Sequence, residues 1–299
     1  MGGEGMTSAP VKNSTSPHVA IRAKRPILVK RVGRLVLYSV LIGGAILTLL
    51  PFIWMLLEAL KPATDIYSTN WLPSRPVWSN FWQALTTLPF GRFFLNSAII
   101  TFSNVILQTA SSTMVAYGFS RFRFRGRNFL FMLLIATLMV PYYVTLIPVY
   151  VEFDKIGWVG TFLPLIVPAA FGNAFFIFLM RQFFSSIPKD MDESAKVDGA
   201  SAWTILTKVL IPQSKPAMVT IAIFAFLGTW NDFLNPLIYL SNMNQYTVAV
   251  GLQYFIGQYT SEWNLMMAVS LLALLPCILL FFFAQKYFIQ GIVVSSAEK

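Results

Sequence analysis

Long apolar runs separated by short polar breaks dominate the chain. Six runs, near residues 35–57, 96–119, 129–151, 161–180, 218–240 and 265–283, are each roughly 20 residues long. At ~1.5 Å per residue that length lets an α-helix cross a ~30 Å hydrocarbon core. The expected fold is therefore all-α: a polytopic membrane protein with six transmembrane helices. The runs are not uniform. The second carries Asn104, Gln108, Thr109, Ser111, Ser112 and Thr113; such groups suit close helix packing first and pore lining second. Pro141 and Pro148 interrupt the third run, and Pro164, Pro168, Gly172 and Asn173 the fourth. Broken helices are tolerated in a membrane where neighbours or a water-filled cavity satisfy the freed carbonyls. Asp232, within Gly228-Thr229-Trp230-Asn231-Asp232-Phe233, is the one acidic residue inside an expected span. A carboxylate there is costly and faces a partner, the bundle interior or water.

Composition agrees with a membrane protein. Hydrophobic residues make up 56% and charged residues 11%, with a mean hydropathy of +0.65, against about a quarter charged in a soluble domain. The net charge of +10 follows topology and needs no nucleic acid. If both termini lie in the cytoplasm, 18 of the 22 Lys and Arg residues fall on the cytoplasmic side and 4 on the other, the asymmetry expected of a membrane protein. Residues 1–34 then form a cytoplasmic basic tail, 35–291 the membrane domain and 292–299 a C-terminal tail. The alternation of Arg121, Arg123, Arg125 and Arg127 with aromatics reads as a cytoplasmic anchor beside lipid. The Trp- and Pro-rich segment from Glu58 to Phe93 falls outside and suits a membrane–water interface. The lone Cys277 excludes an internal disulfide, and His18 is the only histidine, so no metal site and no catalytic pair built on His or Cys is supported. No Gly-x-x-x-x-Gly-Lys-Ser/Thr loop occurs, so the chain does not bind ATP in the P-loop manner.

One polar stretch stands apart. Residues 188–216 form a charged, helix-forming island between the fourth and fifth runs. Pro188 stops what precedes it, and Asp190 with Glu193 makes a variant capping box. Asp192 and Glu193 sit at the positive end of the helix dipole. Gly199 lets the chain turn, Ser201 caps a second helix, and Pro212 and Pro216 close it. The topology puts this helix–bend–helix in the cytoplasm.

The pattern Glu193-Ser194-Ala195, three residues, Gly199, nine residues, Val209-Leu210-Ile211-Pro212 resembles the EAA loop of ABC importer permeases: Glu-Ala-Ala, three residues, Gly, nine residues, Ile-x-Leu-Pro. Ser194, Val209 and Ile211 depart from it conservatively. The resemblance implies a type I importer permease whose coupling helix seats in a cleft of a cytoplasmic ABC ATPase dimer. It makes Asp190, Asp192, Glu193, Ser194, Ala195, Asp198, Gly199, Ala200, Val209, Ile211 and Pro212 the candidate coupling residues. Phe90-Gly91-Arg92-Phe93-Phe94-Leu95-Asn96-Ser97, the Trp-Asn-Asp-Phe run at 230–233 and the tail at 285–291 resemble the carbohydrate-uptake branch. There the chain is similar to the second permease of a heterodimer like that of the maltose importer. The partners so implied are a second homologous permease subunit, the ATPase dimer, an extracytoplasmic solute-binding protein and membrane lipid, in a prokaryotic plasma (inner) membrane. No cofactor is expected on this chain; ATP and Mg belong to the partner ATPase. The substrate so implied is an oligosaccharide, disaccharide or polyol, with glycerol-3-phosphate a neighbouring possibility. Candidate path residues are Asn173, Asn231 and Asp232, though Asp232 could equally bond a neighbouring helix. The resemblance implies that the loop at 241–264, with Asn242, Asn244, Gln245, Tyr246, Gln253, Tyr254, Gln258, Tyr259 and Trp263, reaches toward the binding protein, a plain hairpin cap being the alternative. A secondary transporter would need more ion-coupling acids and internal repeats, and a membrane enzyme clustered catalytic groups; neither pattern is present.

Overall fold

The computed structural model describes residue 2 and residues 27–256 and 262–296. Most of the basic tail with His18, together with Gln258, Tyr259 and residues 297–299, lies outside the described residues. In chain order the α-helices are α1 (Ile27–Ala59), α2 (Ser79–Thr87), α3 (Phe90–Arg121), α4 (Arg127–Ala136), α5 (Tyr142–Lys155), α6 (Leu163–Ile166) and α7 (Ala174–Ser186). There follow α8 (Asp190–Val197), α9 (Ala202–Thr204), α10 (Ile211–Gln213), α11 (Lys215–Trp230), α12 (Leu234–Tyr239), α13 (Val248–Leu252) and α14 (Trp263–Ser296). A π-helical turn, Ile205–Leu210, joins α9 to α10. By packing the chain divides inside α1, into Met1–Pro51 and Phe52–Lys299.

All six apolar runs are helical over most of their length, but not all are straight. Among the described residues four helical stretches are long and apolar enough to cross a membrane, and six if each of two bent pairs makes one crossing. The third run breaks by 100° between Met139 and Tyr142. Pro141 disfavours the helical region for Val140, whose backbone is extended, so α4 and α5 meet at a corner. The cytoplasmic segment ending at Gln213 meets α11 at 80°. Within the fifth run the helix stops at Trp230 and resumes at Leu234. Pro216 lies in the first turn of α11 and so opens that helix instead of closing the one before it.

Two cores hold the second unit together. At the cytoplasmic end Ala116 and Tyr117 of α3 pack with Phe176, Met180 and Phe184 of α7, Ile205 and Leu210 of the π turn, and Ile221 of α11. At the outer end Phe90 and Phe93 pack with Val248, Phe255, Leu265 and Val269. Asn96 Nδ2 donates to the carbonyls of Asn244 and Tyr246 at 2.9 and 3.0 Å, and Ser97 Oγ accepts from Val248 N at 2.9 Å. The outer loop is thereby pulled onto α3: Val248, Val250 and Gly251 are buried, while Asn242, Asn244, Gln253 and Tyr254 remain exposed. Only part of that loop is a free surface.

Candidate functional site

The cytoplasmic element derives its shape from one helix ending. Gly199 N donates to Lys196 O at 3.0 Å and Ala200 N to Ala195 O at 2.9 Å, the paired 5→2 and 6→1 bonds of a Schellman motif. The residue at its left-handed position is Gly199, with φ +81°. Ala195 and Ala200, the C3 and C″ residues of the motif, both pack on the cytoplasmic core. The offset between alanine and glycine in the sequence is therefore the register of a terminated helix. Ser201 Oγ then accepts from Thr204 N at 3.2 Å, capping α9 as expected. Asp190 does not cap α8: Lys189 occupies that place, and Asp190 lies in the first turn, where its carboxylate faces the positive end of the dipole. Pro212 supplies no N–H; beside it Gln213 Nε2 donates to Val209 O at 2.9 Å.

The end of α3 clamps this element. Arg121 Nε lies 2.7 Å from Asp192 Oδ2, with side chains 5% and 8% exposed. Arg121 Nη2 donates to Ile187 O at 3.1 Å, and Tyr117 Oη to Ala202 O at 3.0 Å. Asp192 is thus turned inward and is not free for a docking partner, unlike the exposed Asp190, Glu193, Ser194, Asp198, Gly199 and Pro212. Val209 and Ile211 pack on the core with Ala195 and Ala200. The outward face carries apolar side chains that the motif does not include: Met191, Val197 and Trp203 are 42%, 88% and 63% exposed.

At the other ends of α7 and α11 lies a cavity of about 340 Å³. Asn173 and Asp232 both line it, so two of the three path candidates come together; Asn231 does not. Its amide donates back to Leu227 O at 2.8 Å, and it borders a separate concavity with Met55 and Leu274. Asn173 caps α7, its Oδ1 accepting from Phe175 N and Phe176 N at 2.9 and 3.3 Å. Asp232 accepts from Asn235 N at 3.2 Å and Asn235 Nδ2 at 2.8 Å, and Asn235 Oδ1 in turn accepts from Tyr142 Oη. Among the described residues Asp232 has no ion-pair partner.

Asn104 and Gln108 face the same cavity, Gln108 Nε2 donating to Asn104 Oδ1 at 3.1 Å, and Asn104 Nδ2 to Leu165 O at 2.7 Å. They pack and line at once. Asn235 was not singled out in the sequence, although its position three residues after Asp232 suits a side chain that closes back on a carboxylate. The amides of Asn104, Gln108, Asn173 and Asn235 and the Asp232 carboxylate share the wall with apolar side chains such as Ile100, Phe176 and Phe224, and no Lys or Arg lines it among the described residues. Such a wall can exchange hydrogen bonds with hydroxyl groups in both senses.

Comparison with known proteins agrees with this architecture. Residues 108–294 match the family described as binding-protein-dependent transport system inner membrane component. An osmoprotective compounds uptake permease protein from Synechocystis is 33% identical over 89% of this chain and 92% of its own length. An arabinooligosaccharides transport system permease protein from Bacillus subtilis is 31% identical, covering 85% and 92%. A subunit in the crystal structure of a bacterial ABC transporter that imports the acidic polysaccharide alginate superposes with a TM-score of 0.77 at 23% identity, over 89% of this chain and 99% of that one. The polar cavity, the cytoplasmic helix–turn–helix and the matching family model lead to one conclusion: this chain belongs to the binding-protein-dependent transport system inner membrane components.

Proposed function

We propose that the chain is the permease subunit of an ATP-driven, binding-protein-dependent importer of sugars, and that its cytoplasmic helix–turn–helix couples ATPase motion to alternating access. One observation carries the reading. The two helices that end at the cavity, α7 with Asn173 and α11 with the Thr229–Asp232 corner, are joined at their cytoplasmic ends by α8–α10. A rigid-body push on α8–α10 therefore tilts both cavity walls together, a two-state switch biased by nucleotide on another subunit. ATP and Mg act on that ATPase dimer; a second homologous permease completes the pore, and an extracytoplasmic binding protein delivers solute. Val197 and Trp203, with Glu193, form the contact face offered to the ATPase. The amide-rich cavity fits a hydroxylated, uncharged solute, and the carbohydrate names of relatives support an oligosaccharide, disaccharide or polyol. A phosphorylated polyol would meet Asp232 without a compensating cation among the described residues that line the cavity.

The test is transport by the complex in proteoliposomes. Trp203→Ala and Val197→Asp are expected to leave the complex in the membrane while reducing solute-stimulated ATP hydrolysis and uptake by about tenfold or more, a loss of about 1.4 kcal/mol in coupling. Cysteines at Val197 or Ala200 that never crosslink to an ATPase subunit, with uptake intact in both variants, would refute the coupling role.

A further inference from the structure

Away from the intramembrane cavity, a concavity of about 420 Å³ opens at the outer end of α1, against the loop that follows and the start of α14. Its volume lies within the ~300–1,000 Å³ range of small-molecule sites. Lys61 and Glu58 both line it, Lys61 Nζ donating to Glu58 Oε1 at 2.6 Å, with side chains only 2% and 12% exposed. The backbone beneath them is held from two directions: Lys61 O accepts from Asn80 Nδ2 at 2.8 Å and from Asn264 Nδ2 at 3.2 Å. Burying two charges is costly and contributes little to stability by itself. In a cavity, however, the pair sets an acceptor and a donor side by side with no net charge.

Three tryptophans line the same concavity and are only partly covered: Trp54, Trp71 and Trp263 are 40%, 62% and 39% exposed. Aromatic faces are electron-rich and accept the weakly positive C–H face of a sugar ring. Neighbouring hydroxyls on that ring need a donor and an acceptor close together, which Lys61 and Glu58 supply. A phosphate group would call for a net positive floor, and a hydrocarbon would leave the pair unmatched. We propose that this concavity is a second saccharide site, holding one neutral sugar ring on the extracytoplasmic side before the solute reaches the amide-lined cavity. The choice of a saccharide rests on the import function proposed above; the pairing of rings and charges does not.

The experiment uses the full-length chain in lipid nanodiscs and saturation-transfer NMR with maltotriose, cellotriose, arabinotriose and chitotriose, with glycerol 3-phosphate as the anionic probe. At least one neutral trisaccharide is expected to bind. Trp71→Ala, an exposed position that folding tolerates, is expected to weaken binding about tenfold, and Trp71→Phe to restore most of it. Lack of binding across the panel, binding unchanged by Trp71→Ala, or preference for glycerol 3-phosphate would each overturn the site. Unchanged binding in Trp71→Ala with sugar uptake intact would remove this site alone, whereas an absence of sugar uptake with Trp71-dependent binding retained would remove the import reading instead.

Discussion

Gly199 and Gly251 are both glycine for different reasons, and substitution separates them. At Gly199 a Cβ would meet nothing within 4 Å, so the requirement is the backbone at φ +81°. Gly199→Val is expected to cost about 1–2 kcal/mol from the left-handed conformation, whereas Gly199→Asn should be nearly silent in melting temperature. At Gly251 the backbone is ordinary, but a Cβ would fall 2.4 Å from Phe93 Cδ2. Gly251→Ala is therefore expected to destabilise the outer core by about 1–3 kcal/mol, with partial rescue by Phe93→Leu, measured by thermal unfolding in detergent. The first glycine could be read from its offset after Ala195, because the motif is local. The second could not, because its neighbour lies about 160 residues away in the chain. Asn231 and Asp232 illustrate the same limit. Both interrupt the apolar run alike, yet the helix ends at Trp230 and only Asp232 turns into the cavity.

Among the elements, α8 is fixed to α3 by Arg121 and Asp192. Removing one member of a buried pair leaves an uncompensated charge, for which about 3–5 kcal/mol is the usual cost. Asp192→Leu and Arg121→Met are each expected to lower the melting temperature, and the double variant to be clearly less damaged than the two losses added together, a coupling that a double-mutant cycle reads directly. The inward phase of Asp192 was open to inference: it stands three residues before Ala195, on the same helix face. What composition could not supply was its partner at the end of a distant span. The loop after α1 has a titratable tie of its own. Asp65 Oδ2 accepts from Ser74 N at 3.0 Å, and bonding to Ser74 holds its carboxyl below the ordinary 3.8. A depressed pKa means that the tie is complete above 3.8 and is lost as pH falls through the lower folded value. Hydrogen exchange at the Ser74 amide is expected to accelerate relative to its intrinsic rate on that descent, and Asp65→Asn to abolish the dependence.

In the molecule as a whole, the count of crossings was legible because six runs of bilayer length leave little choice, and basic-residue asymmetry fixed their direction. The corners at Pro141 and at Asn231–Phe233 were visible only as interruptions, since hydropathy records how much apolar chain there is and not where it bends. The Glu58–Lys61 pair was missed entirely: both residues flank a span and read as ordinary interfacial charges, yet Lys61 is 2% exposed. That burial has a consequence for biogenesis. Asn264, which bonds Lys61 O, leaves the ribosome 203 residues later, so the outer rim cannot close until the last hydrophobic segment has been inserted. A nascent chain stalled after residue 256 is expected to be acylated at the Lys61 amine several-fold faster than the full-length chain, in which the amine meets only the concavity, a difference that mass spectrometry resolves. The rim would thus serve as a mark of completed synthesis, exposing charge on every unfinished copy.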